Sequence, residues 1–234
     1  MGNLLTLGSG NIKLAKSDKN KKYLSCGISL LPWKYSGFNV CPCATKACYT
    51  NCINFCGLGR LNSTQKARLR KTKLFFENRD EFFSQLYKEL HSFVKTAKFQ
   101  RKIPVCRLNV FSDIRYEKIK PEIFIDFPDI QFMDYSKIPV KMEDYLDGKL
   151  APNYHITFSR SEKNEDICLE FLNKGGNVAV VFRTDKFPKE YKGWKTTNGE
   201  KSDLRFLDPP NSICALKAKG KMIHDKSGFV IDDI

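Results

Sequence analysis

Four short apolar runs, each followed by polar residues, decide the fold of this chain. They are VCRLNV (105–110), IQFM (130–133), YHITF (154–158) and VAVVF (178–182). Stretches with helical spacing separate them, near residues 121–127, 138–146 and 163–173. Alternating short strands and helices are typical of an α/β protein whose sheet is mostly parallel. We predict that fold class, with the sheet forming a full or partial (β/α) barrel.

The residues before these runs extend the predicted sheet. Residues 3–16 alternate around Gly8-Ser9-Gly10, a pattern that predicts an N-terminal β-hairpin. Another apolar run covers residues 23–31, and Pro32 ends it, so the segment that follows begins as a loop. The chain has 234 residues, of which 41% are hydrophobic. This is enough for one domain with a large core, and we predict a single domain over residues 1–234.

The loop that follows, NVCPCATKACYTNCINFCGLGR (39–60), is rich in cysteine. Five of the chain's nine cysteines lie within sixteen residues of it: Cys41, Cys43, Cys48, Cys52 and Cys56. One buried cysteine is an ordinary small core residue, which is the better interpretation of Cys106, Cys168 and Cys214. Five thiols in one loop indicate metal or cluster ligation. A short helix over residues 45–55 would direct Cys48 and Cys52 to the same side.

Two kinds of metal centre fit these cysteines. A [4Fe–4S] cluster on three thiolates leaves one iron open, and that iron binds the amino and carboxylate groups of S-adenosylmethionine. Cys41, Cys48 and Cys52 have the spacing Cys-x6-Cys-x3-Cys, which departs from the usual Cys-x3-Cys-x2-Cys of radical enzymes. Zinc is the alternative, with four thiolates such as those of Cys43, Cys48, Cys52 and Cys56 forming a tetrahedral site. Zinc sites commonly use two Cys-x2-4-Cys pairs that are well separated in sequence, and this sequence has no second pair.

Polar residues at the ends of the predicted strands are candidates for the cofactor site. Because the carboxyl ends of parallel strands meet on one face, their side chains converge there. The candidates are Asn109, Ser112, Asp113, Asp134, Tyr135, Ser159 and Arg183. Carboxylates and hydroxyls suit the ribose or amino group of S-adenosylmethionine, and Arg183 suits its carboxylate. For any one of them, a strand-end cap or a surface ion pair is the ordinary alternative.

Other chemistry has little support in the sequence. The histidines, His91, His155 and His224, do not show metal-ligand spacing. There is no Gly-x-Ser-x-Gly motif, no phosphate loop and no dinucleotide fingerprint, which argues against a hydrolase.

A series of short motifs along the chain supports a family assignment. The motifs are Cys41-Pro42 with Cys48 and Cys52, Gly59-Arg60, Arg68 with Lys71-Thr72, Arg107-Leu108-Asn109, Ser112-Asp113-Ile114, Gln131-Phe132, Asp134-Tyr135, Asn153-Tyr154, Phe158-Ser159, residues 177–182, Asp203 and residues 206–209. In this order they resemble the phage and plasmid family named after mycobacteriophage gene product 88, over nearly the whole chain.

This resemblance implies a phage-type protein whose ligand triad is Cys41, Cys48 and Cys52, with Cys43 and Cys56 as additional cysteines. It implies no particular activity. The cysteine loop and Ser112-Asp113 are more distantly similar to phage proteins that look like radical S-adenosylmethionine barrels. That similarity implies a radical S-adenosylmethionine-like enzyme of unspecified substrate.

The formal net charge of +14 suggests an anionic partner. The most basic predicted element is a helix that begins at Ser63 or Thr64 and runs to about Phe76. Its cations, which would face nucleic acid, are Lys66, Arg68, Arg70, Lys71 and Lys73. A solvated helix face is the ordinary alternative. Coding bias is another, because the chain has 30 lysines and 10 arginines.

The combined prediction is an iron–sulfur protein that acts as a radical S-adenosylmethionine-like enzyme. The alternative is a non-catalytic protein, stapled by zinc or a cluster, that binds nucleic acid or a host protein. No apolar run approaches the ~20 residues that span a bilayer, and the N-terminus lacks the pattern of a signal peptide. We therefore predict a cytoplasmic protein, in the host cytoplasm if it is phage-encoded, without a membrane partner.

Overall fold

The computed structural model describes residues 2–10 and 12–232, and this part of the chain contains nine α-helices and ten β-strands. The helices are α1 (Ile12–Asp18), α2 (Trp33–Ser36), α3 (Lys46–Thr50), α4 (Asn62–Glu77), α5 (Arg79–Phe99), α6 (Tyr116–Ile119), α7 (Glu122–Asp126), α8 (Pro139–Leu146) and α9 (Glu165–Asn173). The strands are β1 (Leu5–Leu7), β2 (Tyr23–Ile28), β3 (Ile103–Arg107), β4 (Gln131–Ser136), β5 (Tyr154–Ser159), β6 (Asn177–Arg183), β7 (Glu190–Tyr191), β8 (Trp194–Asn198), β9 (Ile213–Lys217) and β10 (Val230–Asp232).

The ten strands form one sheet, which confirms the predicted α/β class with a mostly parallel sheet. Its order is β1-β2-β3-β4-β5-β6-β9-β8-β7, and β10 pairs with β6 beyond the point where β5 ends. Strands β2 to β6 follow chain order and are parallel, as are β6 with β9 and β9 with β8. Only β1 with β2 and β7 with β8 are antiparallel among the described pairings, which form an open path from β1 to β7.

One face of the sheet packs against helices to form the main core. Strand residues such as Cys26, Cys106 and Phe132 are fully buried in one core cluster with the apolar residues of α5. The apolar spacing of α5 places Phe83, Leu86, Leu90, Phe93 and Ala97 on one buried face. The Asn78 side chain caps the helix by accepting the Glu81 N–H at 3.3 Å. The long apolar face of α5 therefore fixes this helix on the sheet.

The predicted β-hairpin over residues 3–16 is wrong. Only Leu5–Leu7 is a strand, and it pairs antiparallel with β2, whereas Ile12–Asp18 is helix α1. The carboxylate of Asp18 accepts the Ser25 N–H at 2.7 Å and holds the end of α1 against β2. Glu89 accepts the backbone N–H groups of Leu4 and Leu5, so this segment is bonded to α5. Tertiary bonds from Asp18 and Glu89 thus override the local alternation.

The cysteine loop is mostly short turns. It contains α3 and two 3-10 helices, Ile53–Phe55 and Gly57–Arg60. The predicted helix over residues 45–55 is therefore split, because Cys52 has an extended backbone with ψ of 124°. The predicted basic helix is present as α4, but it begins after Leu61 without a side-chain cap, so Ser63 and Thr64 lie inside its first turn.

His155 on β5 gives the fold a pH dependence. Its Nδ1 lies 2.8 Å from the Tyr145 hydroxyl, and its Nε2 lies 3.4 Å from the Thr157 hydroxyl. Burial lowers the pKa of His155 from 6.5 to about 4, and the charge of Arg205 contributes. Between about pH 6.5 and pH 4, His155 is protonated in the unfolded chain but neutral in the folded chain. The free energy of unfolding therefore decreases as the pH falls through this range.

We expect this histidine to reduce the free energy of unfolding by about 2 kcal/mol at pH 5 relative to pH 7. Urea unfolding at the two pH values measures the effect. The His155→Gln variant should lack that part of the decrease, while His91→Gln, at an exposed position on α5, should retain it. Equal decreases in the wild type and His155→Gln would contradict the prediction.

Candidate functional site

A cavity lies at the carboxyl ends of the parallel strands, beside the cysteine loop. Its volume is about 230 Å³, many times the ~10–15 Å³ that one water needs. Its wall includes the loop after β2, the segments after β3, β4 and β5, and residues of β6 and β9. This is the edge at which α/β folds bind ligands, and the cavity has room for a small molecule.

Cys41, Cys48 and Cys52, the predicted ligand triad, lie together on the cavity wall. The loop after β2 brings Cys41 to the end of β3, where its Sγ lies 3.6 Å from the Phe111 carbonyl oxygen. Cys48 is carried by α3, and Cys52 immediately precedes the first 3-10 helix.

The two additional cysteines lie away from that wall. Cys43 is exposed, and Cys56 contacts Gly220 in a turn near the C-terminal end. A side chain at Gly220 would overlap the Cys56 sulfur, so this contact requires glycine.

The chemistry of the three thiols bears on what they could hold. Burial is the main cause that raises the pKa of Cys41 to about 12, and the nearby Cys48, Asp113 and Cys52 contribute to this increase. Burial also raises the pKa of Cys52. Metal ligation would require Cys41 and Cys52 to lose their thiol protons, because the thiolate is the ligand. In residues 2–10 and 12–232, no group of three or more His, Cys, Asp or Glu residues is arranged to hold a single metal ion. Cys41, Cys48 and Cys52 share one cavity wall, and a cluster would take one thiolate on each of three irons.

The turn after β3 is organised by Asn109, which lines the cavity as predicted. Its side-chain oxygen accepts the Ser112 hydroxyl and the Ile114 N–H, both at 2.8 Å. Its side-chain nitrogen donates to the Ile114 carbonyl oxygen at 3.0 Å. Ser112, which also lines the cavity, is thereby held in place.

Asp113 joins this turn to the end of β4. Its carboxylate accepts the Ser136 hydroxyl at 2.8 Å and the Lys137 N–H at 2.7 Å. Burial raises the pKa of Asp113, and Lys141 opposes that shift. Because both carboxylate oxygens already accept hydrogen bonds, Asp113 positions the neighbouring segment. Tyr135 and Ser159 also line the cavity, as predicted.

Asp134 and Arg183 lie elsewhere, which corrects the prediction that they share this cavity. Asp134 points to the opposite face of β4 from Tyr135, as adjacent strand residues do. It is buried and accepts hydrogen bonds from the Asn109 N–H at 2.8 Å and the Tyr154 hydroxyl at 2.9 Å. Arg183 forms an ion pair with Asp232 at 3.2 Å. Asp134 thus supports the β3 turn from behind, and Arg183 holds β10.

A buried ion pair that the sequence did not predict contributes to the cavity wall. Arg107 pairs with Asp203, which lies 96 residues later, and both line the cavity. The Arg107 guanidinium carbon lies 4.9 Å from the centroid of the Tyr135 ring. The Tyr135 hydroxyl donates to Asp203 at 3.4 Å. Both residues belong to motifs of the family resemblance, but nothing in the sequence indicates that they pair.

Lys137 differs from the other cations of the cavity. The cations on the wall are Lys16, Arg107, Lys137, Arg160, Lys217 and Lys219. Five of them form ion pairs, with Glu200, Asp203, Glu165 or Asp185. Within the described part of the chain, the Lys137 ammonium has no carboxylate at ion-pair distance and lies 5.5 Å from the centroid of the Phe229 ring. Lys137 is therefore the cavity cation that remains open to an anionic ligand.

Two cations of the predicted nucleic-acid helix are buried. Arg68 donates to the Asn54 carbonyl oxygen at 2.7 Å, and Lys71 donates to the Leu4 carbonyl oxygen at 2.6 Å. Burial lowers the pKa of Lys71 to about 8. Arg68 and Lys71 thus fasten α4 to the cysteine loop and to the N-terminal segment. This corrects the prediction that they face a phosphate backbone.

The other three predicted cations of α4 are more accessible. Lys66 and Lys73 are exposed, and Arg70 is half-buried. Arg70 donates to the carbonyl oxygens of Gly2 and Asn3. Among the five cations of α4, only Lys66 and Lys73 are exposed.

Comparison with known families assigns the chain. The family described as gene product 88 matches residues 4–233. The chain belongs to the gene product 88 family. Searches of curated proteins and of solved structures find no significant match. Membership in the gene product 88 family confirms the resemblance that the motifs from Cys41 to Pro209 indicated.

Membrane insertion through a helix has no support in the described residues. None of their helices combines the length and the apolar composition needed to cross a bilayer.

Proposed function

We propose that this gene product 88 protein is a radical S-adenosylmethionine-like enzyme with a [4Fe–4S] cluster on Cys41, Cys48 and Cys52. One observation carries the proposal: these three cysteines line the same cavity as the polar ends of β3, β4 and β5. A three-thiolate cluster leaves one iron free for a ligand. When bound, the cluster would supply the electron for cleavage of the cofactor's sulfonium.

Residues of the chain would bind and orient the cofactor. Lys137 would attract its carboxylate, because this ammonium is open to an anion. Asp113 positions the Lys137 backbone, and Asn109 orders the turn beside it. The hydroxyls of Tyr135 and Ser159 are on the same wall and would suit the ribose or amino group. In this proposal the consecutive parallel strands surround the cofactor as a partial barrel.

Free thiols and a reducible cluster also fit a reducing compartment. The host cytoplasm is therefore the location that we propose for this protein. Zinc on the same loop would instead support a stapled, non-catalytic protein, and metal analysis separates the two.

Anaerobic purification tests the proposed function. We expect about four irons per chain, with a cluster spectrum that changes when S-adenosylmethionine is added. A strong reductant should then release methionine and 5′-deoxyadenosine in a slow uncoupled reaction. Stoichiometric zinc without iron would contradict the proposal. A cluster held by four cysteines, with a spectrum that does not change when S-adenosylmethionine is added, would also contradict it.

The Lys137→Gln variant tests the anion site. We expect its affinity for S-adenosylmethionine to fall about tenfold or more, because a charge-assisted hydrogen bond contributes about 1.5–3 kcal/mol. Its iron content should stay at the wild-type value, since Lys137 does not ligate iron in this proposal. Lys95→Gln makes the same charge change at an exposed position on α5 and is the matched control. Equal affinities of the two variants would rule out the assignment of Lys137.

A further inference from the structure

The segment that contains the cysteine loop has an extreme charge pattern. Residues 19–76 contain eleven lysines and arginines and no aspartate or glutamate. Around the cysteine loop, the exposed cations of this segment are Lys34, Lys46, Arg60 and Lys66. This stretch holds α2, α3 and all of α4 except its last residue, Glu77. Its exposed cations around the cysteine loop give that region an excess of positive charge.

Large aromatic side chains are exposed among these cations. Trp33 is 64% exposed, and Tyr35 and Tyr49 are 53% and 54% exposed. Several large apolar side chains exposed in one region mark an interaction site, whereas a single one, such as Phe99, is normal. We call the set formed by Trp33, Lys34, Tyr35, Lys46, Tyr49 and Arg60 the aromatic–basic surface.

Packing supports one side of this surface. The Tyr35 ring lies 4.2 Å from the Phe55 ring, centroid to centroid, which fixes α2 against the first 3-10 helix of the cysteine loop. The Lys34 ammonium lies 5.9 Å from the Tyr35 ring centroid. Glu162 is an acidic group that packs here, and its carboxylate accepts the Thr45 hydroxyl and the Ala47 N–H below α3. The Glu162 carboxylate is thus hydrogen-bonded to the cysteine loop.

We infer that the aromatic–basic surface binds single-stranded nucleic acid. Exposed aromatic rings stack on unpaired bases, and interleaved cations neutralise the backbone phosphates. A duplex hides its base faces and offers the rings little to stack on. An anionic membrane is disfavoured because α2 and α3 have only four and five residues, too short for an amphipathic interfacial helix. The inference does not depend on the cluster or on S-adenosylmethionine.

Fluorescence anisotropy with labelled 20-nucleotide DNA and RNA strands of mixed sequence tests the inference. We expect binding of a single strand that weakens with salt, with a competing duplex of the same sequence less effective. The comparison of DNA with RNA shows which sugar is preferred. Trp33→Ala should weaken binding about tenfold, because it removes a stacking platform. Phe99→Ala, at a residue 90% exposed at the end of α5, is the matched control and should bind like the wild type.

Charge variants test the electrostatic part. Replacing Lys34, Lys46 and Arg60 together with glutamine should reduce the slope of log affinity against log salt by about 2, since each single-strand phosphate contact contributes about 0.7. The same replacement at Lys88 and Lys95 on α5 and at Lys174 just after α9 should change the slope much less. Both sets remove three positive charges, so net charge alone does not distinguish them.

Several results would overturn the inference. They are no binding of either strand at 50 mM salt, equal losses in the Trp33→Ala and Phe99→Ala variants, and preference for the duplex. Binding to phosphatidylglycerol vesicles without binding to either strand would assign the surface to a membrane instead. Iron analysis of the same preparations is a separate readout, so failure of the proposed enzymatic function would leave this result unaffected.

Discussion

Cys48→Ala and Cys52→Ala are each expected to reduce bound iron from about four atoms per chain to almost none. The triad of Cys41, Cys48 and Cys52 has no spare thiolate on the cavity wall, because Cys43 is exposed and Cys56 packs on Gly220. Loss of one ligand would therefore leave two thiolates for the cluster. Iron and sulfide analysis of anaerobically purified protein, with the visible spectrum, measures the loss.

Buried cysteines outside the loop supply the matched controls. Cys106 on β3 is fully buried in the core, and Cys214 on β9 is fully buried beside Arg205, which donates a hydrogen bond to its Sγ at 2.6 Å. Cys106→Ala and Cys214→Ala should both keep the iron. Cys106→Ala should lower the free energy of unfolding by about 1 kcal/mol, as removal of one buried atom does, and Cys214→Ala should lower it further, because the buried Arg205 donor loses this acceptor. Equal iron loss in all four variants would mean that folding, and not ligation, is affected. Iron loss in Cys56→Ala would indicate a fourth protein ligand.

Asp203→Ala is expected to lower the free energy of unfolding by about 3–5 kcal/mol, because it leaves the buried Arg107 charge without its partner. The Arg107 and Asp203 side chains are only 2% and 8% exposed. Urea unfolding monitored by circular dichroism measures the change. A second variant, Arg107→Met combined with Asp203→Leu, should recover much of the loss, since replacing both members of a buried pair removes the unpaired charge.

An exposed ion pair is the control for this effect. Asp185 pairs with Lys217, and the Asp185 side chain is 95% exposed. Asp185→Ala should change the free energy of unfolding by less than about 1 kcal/mol. If Asp203→Ala and Asp185→Ala have similar effects, the Arg107 charge is not buried in the way that the structure describes.

Much of the sheet could be predicted from the sequence, because parallel strands buried on both faces appear as continuous apolar runs. The runs that begin at Val105, Ile130, Tyr154 and Val178 all became strands, and the polar residues after three of them reached the cavity. The N-terminal segment was mispredicted because its hydrogen bonds go to other elements: Glu89, 85 residues after Leu4, accepts the Leu4 N–H, and Asp18 binds β2 at Ser25.

Which of two neighbouring polar residues enters the cavity could not be predicted. Side chains alternate between faces along a strand, and a shift of one residue reverses their direction. Tyr135 therefore faces the cavity while Asp134 supports the turn behind it. Which residues of a basic run are buried could not be predicted either. Arg68 and Lys71 are buried although they belong to the most basic helix. The sequence contains no local signal that their partners are the backbone oxygens of Asn54 and Leu4.

The position of β10 has a consequence for the order in which the cavity is built. This strand pairs with β6, and Phe229 just before it lies beside Lys137 on the cavity wall. Translation at 5–20 residues per second separates the synthesis of Cys52 from that of Phe229 by roughly 9–35 s. Cys52 therefore leaves the ribosome about that long before Phe229 does, and the wall beside the three thiols is completed last. A group that binds these thiols would reach them most easily while the chain is nascent.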